Sequence, residues 1–345
     1  MSVTLKDVAK MANVTPTVVS RVLHDKASTV RVSSATAERV RGAAASLGYR
    51  VNVMARNFRD RQTKTIGVLN GQGLTRPLFA RGPRYFASLM DGIVDGAFKC
   101  GYSVTLCPQL LGEHPELALS DGRFDGLIWY SIEPSQQILD ALSQCSVPIV
   151  IVHGHAKDFC NRYATVIANN AQGVKLAVQH LVDQGHRKIA FALEPEALNV
   201  ESLERLHSYR VEMDAHGLVA EESDVLEIDR ERKAMHAYLT KGELAHTAVI
   251  VHADGLAAEF ICAAQKYGYN VPNDLAVVGF DSTDFCNEIS PSLTSISQPL
   301  FDIGASAASQ LMKLINGDPL DSLELLLPCG LDIRGSTVSP SRLLL

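Results

Sequence analysis

Arg21 lies in the stretch LKDVAKMANVTPTVVSRVLHD (residues 5–25), with Thr17, Ser20 and His24 at spacings that put all four on one helix face. A guanidinium can donate two parallel hydrogen bonds to guanine O6 and N7. Such a contact is worth about 1–3 kcal/mol of base discrimination. The short polar side chains beside Arg21 keep this face slim enough to enter a major groove. Charge points the same way. Residues 1–64 carry twelve Lys and Arg against four Asp and Glu, a balance of +8, whereas the remaining chain holds −14 of the formal net −6. This asymmetry suits a nucleic acid or a membrane surface at the basic end. Charge alone leaves open a solvated basic face with no partner.

The elements that must hold this face are short. Thr4 and Asp7 have the spacing of a capping box, and Leu5, Val8, Ala9 and Ala12 recur at helical intervals. Asn13 suits a tight turn. Thr15 can cap a second helix, with Pro16 at its first position, where a backbone N–H would be unpaired anyway. Val19, Val22 and Leu23 line its inner face. A third helix follows, with Ser33 as cap, Val40, Ala44 and Leu47 as core and Gly48 as terminator. Together they predict an all-α helix-turn-helix headpiece over residues 1–49. The basic run RVNVMARNFRDRQTKT (50–65) comes next. It is a flexible linker or, with Asn52 as cap, a short helix through Arg59 that is marginal in isolation.

From residue 65 onward, Val/Ile-rich runs alternate with helical patterns. Strands are predicted at 66–70, 103–106, 126–130, 149–152, 188–192, 248–251 and 276–280. Helices are predicted at 86–99, 135–144, 171–184, 203–216, 256–267 and 303–315. This alternation predicts doubly wound parallel sheets covered by helices, which bind ligands beyond the carboxyl ends of their strands. The length requires two such units, with a crossover expected at 164–170. The expected division is 65–167 plus 296–322 for one subdomain and 168–295 plus 323–340 for the other, after a hinge at 50–64.

Several function classes find no support. G-x-S-x-G, GxxxxGK[ST] and G-x-G-x-x-G are absent, so an enzyme is not expected. The seven cysteines form no CxxC pair, which speaks for buried thiols in a reducing compartment and for neither a zinc site nor any other cofactor. No apolar run approaches a membrane span and no signal peptide opens the chain, so a cytoplasmic protein is expected and an exported carrier is not.

TLKDVAKMANVTPTVVSRVL and RVSSATAERVRGAAASLGY resemble the headpiece of the LacI/GalR family of bacterial transcriptional repressors. The matching elements are L-x-DVA-x-x-A-x-V, VSRVL, and V-S-x-x-T with LGY downstream. The resemblance implies that Pro16 and Thr17 help set base preference, that Arg21 reads a base and that Ser20 touches the DNA backbone. Val18 and His24 depart from the family's usual threonine and asparagine. The hinge is implied to fold on operator DNA, with Phe58 in place of the usual leucine wedge and Arg56 and Arg59 flanking it. Such a wedge trades unstacking for a bend that allows more contact. Val51 stands where the family usually has proline.

The large part resembles the family's periplasmic-binding-protein-like effector domain through TIGVL, FDGLIW, VPIVIV, HLVDQGHRKIAF, VPNDLAVVGFDS and LDIRGST. Arg205 in LERLHSY matches the family's effector-binding arginine, and Asp281 closing VVGFD matches its acidic partner. Both suit a polyhydroxylated solute. His153 stands where members often have aspartate. Ala253 replaces a frequent asparagine and leaves Asp254 as the neighbouring polar group; Asn169 replaces another aspartate. Trp129 and Phe79 are either ring-stacking residues or core.

The resemblance implies a repressor gated by a small polar metabolite, sugar or sugar-like, that binds a pseudo-palindromic double-stranded operator as a homodimer. A constitutive DNA binder with an insensitive effector domain is the alternative, ahead of a sugar carrier or enzyme. Two-fold symmetry would let two headpieces read two half-sites. Partner helices are expected near 86–99 and 256–267, and the C-terminus carries no heptad tail that would build a tetramer.

Overall fold

The computed structural model describes residues 3–23, 32–50, 62–70, 83–107, 122–130, 136–195, 199–240 and 242–338. The chain divides into two units, Met1–Thr63 and Lys64–Leu345. The expected hinge residues Asn52, Arg56, Phe58 and Arg59 lie outside the described residues, as do Val51, His24 and Phe79.

The first unit contains α1 (Leu5–Ala12), α2 (Pro16–Leu23) and α3 (Ser34–Ser46). The Thr4 N–H and hydroxyl both donate to Asp7 Oδ2, at 2.8 and 2.7 Å, and the Asp7 N–H donates back to Thr4 Oγ1. These bonds hold the Asp7 carboxyl below its ordinary value. Asn13, at φ +50°, turns the chain out of α1. Ser33 Oγ accepts from the Thr36 N–H at 3.3 Å and Gly48 ends α3 at φ +64°. Val8, Ala9, Ala12, Val19, Val40, Ala43 and Ala44 form the buried core. Four alanines among seven core residues let three short helices approach closely.

The second unit holds two sheets. In the N-lobe, β1 (Thr65–Asn70), β2 (Ser103–Cys107), β3 (Gly126–Tyr130), β4 (Ile149–Val152), β5 (Ala164–Ala168) and β11 (Glu324–Leu327) pair in the order β11-β5-β4-β3-β1-β2, all parallel. The C-lobe is built from β6 (Ile189–Leu193), β7 (Val225–Glu227), β8 (Ala248–Val251), β9 (Ala276–Asp281), β10 (Thr294–Ser297) and β12 (Gly330–Asp332). Their order is β12-β10-β9-β8-β6-β7, with only the β10–β12 pair antiparallel among these. β3, β4, β5, β6 and β8 are buried at every position. Strands covered on both faces have no solvent side, which is why they read as continuous apolar runs.

The N-lobe carries α4 (Pro83–Lys99), α5 (Gln136–Ser143) and α10 (Leu300–Asn316). α6 (Asn170–Asp183), α7 (Val200–Ala215), α8 (Lys233–Leu239) and α9 (Asp254–Lys266) belong to the C-lobe. α4 and α10 cross in direct backbone contact. A Cβ on Gly92 would lie 2.0 Å from the Phe301 carbonyl oxygen, and one on Gly304 would lie 2.1 Å from that of Leu89.

Two expected boundaries need correction. Residues 296 and 297, expected in the N-lobe, belong to the C-lobe, because β10 runs to Ser297 beside β9 in that sheet. Residues 323–340, expected wholly in the C-lobe, begin in the N-lobe: β11 pairs in parallel with β5, and the chain crosses only after Leu327. The expected crossover at 164–170 is mostly the buried strand β5. β11 is placed by β5, more than 150 residues earlier in the chain, which local pattern does not encode.

Candidate DNA-binding surface and interlobe cleft

α2 is anchored by buried Val19, with Val22 and Leu23 half-buried against the same core. Its first turn is set by the Thr15 carbonyl, which accepts from the Val18 and Val19 N–H groups at 3.0 and 3.2 Å. Pro16 sits at the first helical position, where its missing N–H costs nothing. Pro16 and Thr17 are exposed, and Ser20 and Arg21 are half-buried. Of the expected reading face, Pro16 and Thr17 are therefore open to solvent, while Ser20 and Arg21 are partly covered. The side chains implied by the hinge lie outside the described residues.

In the second unit, the lobes meet near the carboxyl ends of their strands. His153 follows β4, is 4 % exposed and has φ +64°. Its Nδ1 meets Glu201 Oε1, in the first turn of α7, at 3.0 Å, and its Nε2 meets the Tyr85 hydroxyl on α4. Burial opposes the Glu201 charge, but His153 and then Arg205 outweigh it and lower the carboxyl to about 2. One turn further along α7, Arg205 Nε donates to Asn170 Oδ1 at 2.9 Å and Nη1 to the His252 carbonyl at 2.8 Å. Burial, then the Arg205 charge, lowers His252 to about 3, so this imidazole is neutral.

Asp281 closes β9 at φ +119°, followed by Ser282 at φ +50°. Non-glycine residues seldom take positive φ, and such geometry concentrates at functional sites. Gln298 Nε2 donates to Asp281 Oδ1 at 2.6 Å. Burial, then the Asp254 charge, raises the Asp281 carboxyl, against the pull of Arg205. Asp281 lines a cavity of about 460 Å³ together with Arg84, Ser88, Thr283, Gln298 and Asp302.

Asp254, expected as a polar ligand contact, has a different task. It is 4 % exposed, and its carboxylate accepts from Ser295 Oγ at 2.5 Å, the Thr283 N–H at 3.2 Å and Cys286 Sγ at 3.1 Å. Its position opening α9 turns it under the loop that follows Asp281, into the C-lobe. Trp129 is core, packed with Leu69, Phe124 and Leu127. Tyr85, Asn170, Glu201, His252 and Gln298 carry no sequence signal of their own at this site. Of these, Glu201 was within reach, since it lies four residues before Arg205 on the same helix and hence on the same face.

The sequence signature of bacterial regulatory proteins of the lacI family matches residues 4–52, and that of a periplasmic binding protein-like domain matches residues 178–337. Catabolite control protein A of Priestia megaterium is 31 % identical over 98 % of this chain and all of its own. The HTH-type transcriptional repressor PurR of Photorhabdus laumondii is 32 % identical over 91 % of each chain. Among solved structures, a Lac repressor dimer bound to operator and the anti-inducer ONPF superposes with a TM-score of 0.79 at 26 % identity, covering 98 % of this chain and 100 % of that one. The transcriptional regulator CelR in complex with cellobiose superposes at 0.69 and 27 % identity, over 97 % and 99 %.

Proposed function

The chain belongs to the lacI family of bacterial regulatory proteins and is a DNA-binding transcriptional regulator, and from that premise we propose that it is a repressor acting as a homodimer on a pseudo-palindromic operator, gated by a small polyhydroxylated solute held between its lobes. In this reading Pro16, Thr17 and Arg21 of α2 meet base edges and Ser20 the phosphate backbone. Arg56, Phe58 and Arg59, after an Asn52 cap, enter the minor groove.

The observation that carries the effector half is that Arg205 lies near enough for its charge to act on the Asp281 carboxyl. Arg205 packs on Phe280, the residue beside Asp281, at the carboxyl edge of the C-lobe sheet. A planar fork of donors beside a carboxyl suits vicinal hydroxyls. The cellobiose complex of CelR supports a sugar-like solute. For the dimer, α4 offers exposed Val94 and Phe98, the latter 78 % exposed. The outer face of α9 is less apolar, carrying Glu259, Cys262, Gln265 and Lys266. This favours α4 as the apolar part of the interface.

One observation favours the alternative of a ligand-insensitive binder: His153, at the family's aspartate position, is already bonded at both ring nitrogens within the chain. A single experiment separates the two. The purified protein is used to select random genomic fragments, and the enriched site is titrated with and without a panel of sugars and polyols. A symmetric site whose affinity changes with one solute, and no longer does so in Arg205→Ala, supports gating. A symmetric site unmoved by any solute supports constitutive binding, and no enriched site sinks both.

A further inference from the structure

We propose that closure of the two lobes is coupled to proton uptake by His155, an N-lobe histidine that meets Glu204 of α7 in the C-lobe beside the buried His153–Glu201 contact. His153 Nδ1 meets Glu201 Oε1 at 3.0 Å, and His155 Nε2 meets Glu204 Oε2 at 3.3 Å. Glu201 and Glu204 are three residues apart, so both point from the same side of the helix. His153 and His155 are two residues apart in the segment after β4. The two pairs thus join one short N-lobe segment to one helical turn of the other lobe.

His155 is the responsive member. Its Nδ1 also meets Glu324 Oε2 of β11 at 3.3 Å, so the ring lies between two carboxylates, one from each lobe. Among the described residues, other polar groups also face the cluster, the Ala156 N–H donating to Glu324 Oε2 at 2.8 Å. α6 contributes neutral Asn170, whose amide donates to Glu204 Oε2 at 2.7 Å. Arg205 comes from α7, Tyr85 from α4 and Asp281 from β9. Burial opposes the His155 charge, but Glu204 and Glu324 outweigh it and raise the imidazole above its ordinary value. Opening the lobes removes Glu204 and leaves Glu324. The closed arrangement therefore binds the proton more tightly. Its proton-linked stabilisation is complete below the imidazole value of the open state, where Glu324 remains, and is lost as pH rises through the higher value of the closed state. Glu201 is lowered, so it stays ionised near neutrality. The coupling does not depend on which solute the cleft takes.

Small-angle X-ray scattering of the full chain at pH 6 and pH 8, without DNA, tests it. The wild type is expected to be more compact at pH 6 and to expand at pH 8, and Glu204→Gln is expected to lose that response. A wild type of equal dimensions at both pH values overturns the proposal, as does a Glu204→Gln variant that keeps the full response. Should that variant fail to fold, histidine ring-proton NMR of the wild type decides, with His155 assigned by its absence in His155→Gln. Titration above about 6.5 is expected, and titration at or below that value overturns it.

Discussion

The Arg205 guanidinium lies 3.6 Å above the centre of the Phe280 ring. With its bonds to Asn170 and the His252 carbonyl, this contact ties α7, α6 and the ends of β8 and β9 to one side chain. A desolvated cation over an aromatic face is worth about 2 kcal/mol. Its larger role is orientation, because a stacked, doubly bonded fork reaches the neighbourhood of Asp281 already aimed.

Arg205→Lys keeps the charge but loses the planar fork and the stacking. We expect thermal unfolding to report a loss of roughly 1–3 kcal/mol, since the Asn170 and His252 oxygens lose donors in a buried setting. Solute-induced stabilisation should disappear together with it. A variant as stable and as solute-responsive as the wild type would show that the charge alone matters.

Asp281→Asn should separate stability from sensing. The native carboxyl is raised by burial and by Asp254. The native state therefore holds its proton more tightly than the unfolded chain does. That advantage is complete below the ordinary carboxylate value and is lost as pH rises through the raised one. An amide has no such loss. Melting curves at pH 5 and pH 7.5 should show the variant gaining on the wild type at the higher pH, with its solute response abolished. A gap between the two proteins that does not change with pH would refute this.

Asp254→Ala removes the acceptor shared by Ser295, the Thr283 N–H and Cys286. Leaving such buried donors unpaired costs roughly 1–3 kcal/mol. Hydrogen exchange should quicken across residues 282–287, the segment after Asp281, before it quickens in the N-lobe. Unchanged protection there would argue against the role assigned to Asp254.

Gly304→Ala tests the α4–α10 crossing. The new methyl would meet the Leu89 carbonyl oxygen at 2.1 Å and the Ile93 nitrogen at 2.9 Å, both of them backbone atoms that cannot swing aside. Overpacking of this kind costs about 1–3 kcal/mol or more. The melting transition of the second unit should fall accordingly. An unshifted transition would mean that the two helices slide apart freely.

Arg21→Ala addresses the other unit. Loss of a bidentate base contact should cost about 1–3 kcal/mol on the selected site and flatten preference at one position of each half-site. Binding to unrelated DNA should persist and weaken with salt, because phosphate contacts carry it. Fragment selection with the variant reads both effects. Undiminished preference would remove Arg21 from the reading face.

What the sequence determined by itself is what short-range physics decides. Thr4 with Asp7, Asn13, Ser33 and Gly48 each act on atoms within a few residues, so the starts and stops of the headpiece helices were legible as pattern. So were β3, β4 and β8, because full burial on both faces leaves a run of apolar residues with nothing to alternate against. Tertiary structure alone decided the rest. β11 joins the N-lobe through β5, more than 150 residues earlier in the chain, and β10 stays with β9, so two lobe boundaries shifted. Asp254 turned inward because Ser295 and Cys286 arrived beneath it from distant strands and turns. His153 found Glu201 48 residues away and in the other lobe. A side chain's type is written in the chain, but its partner is chosen by packing that brings remote segments within 3 Å.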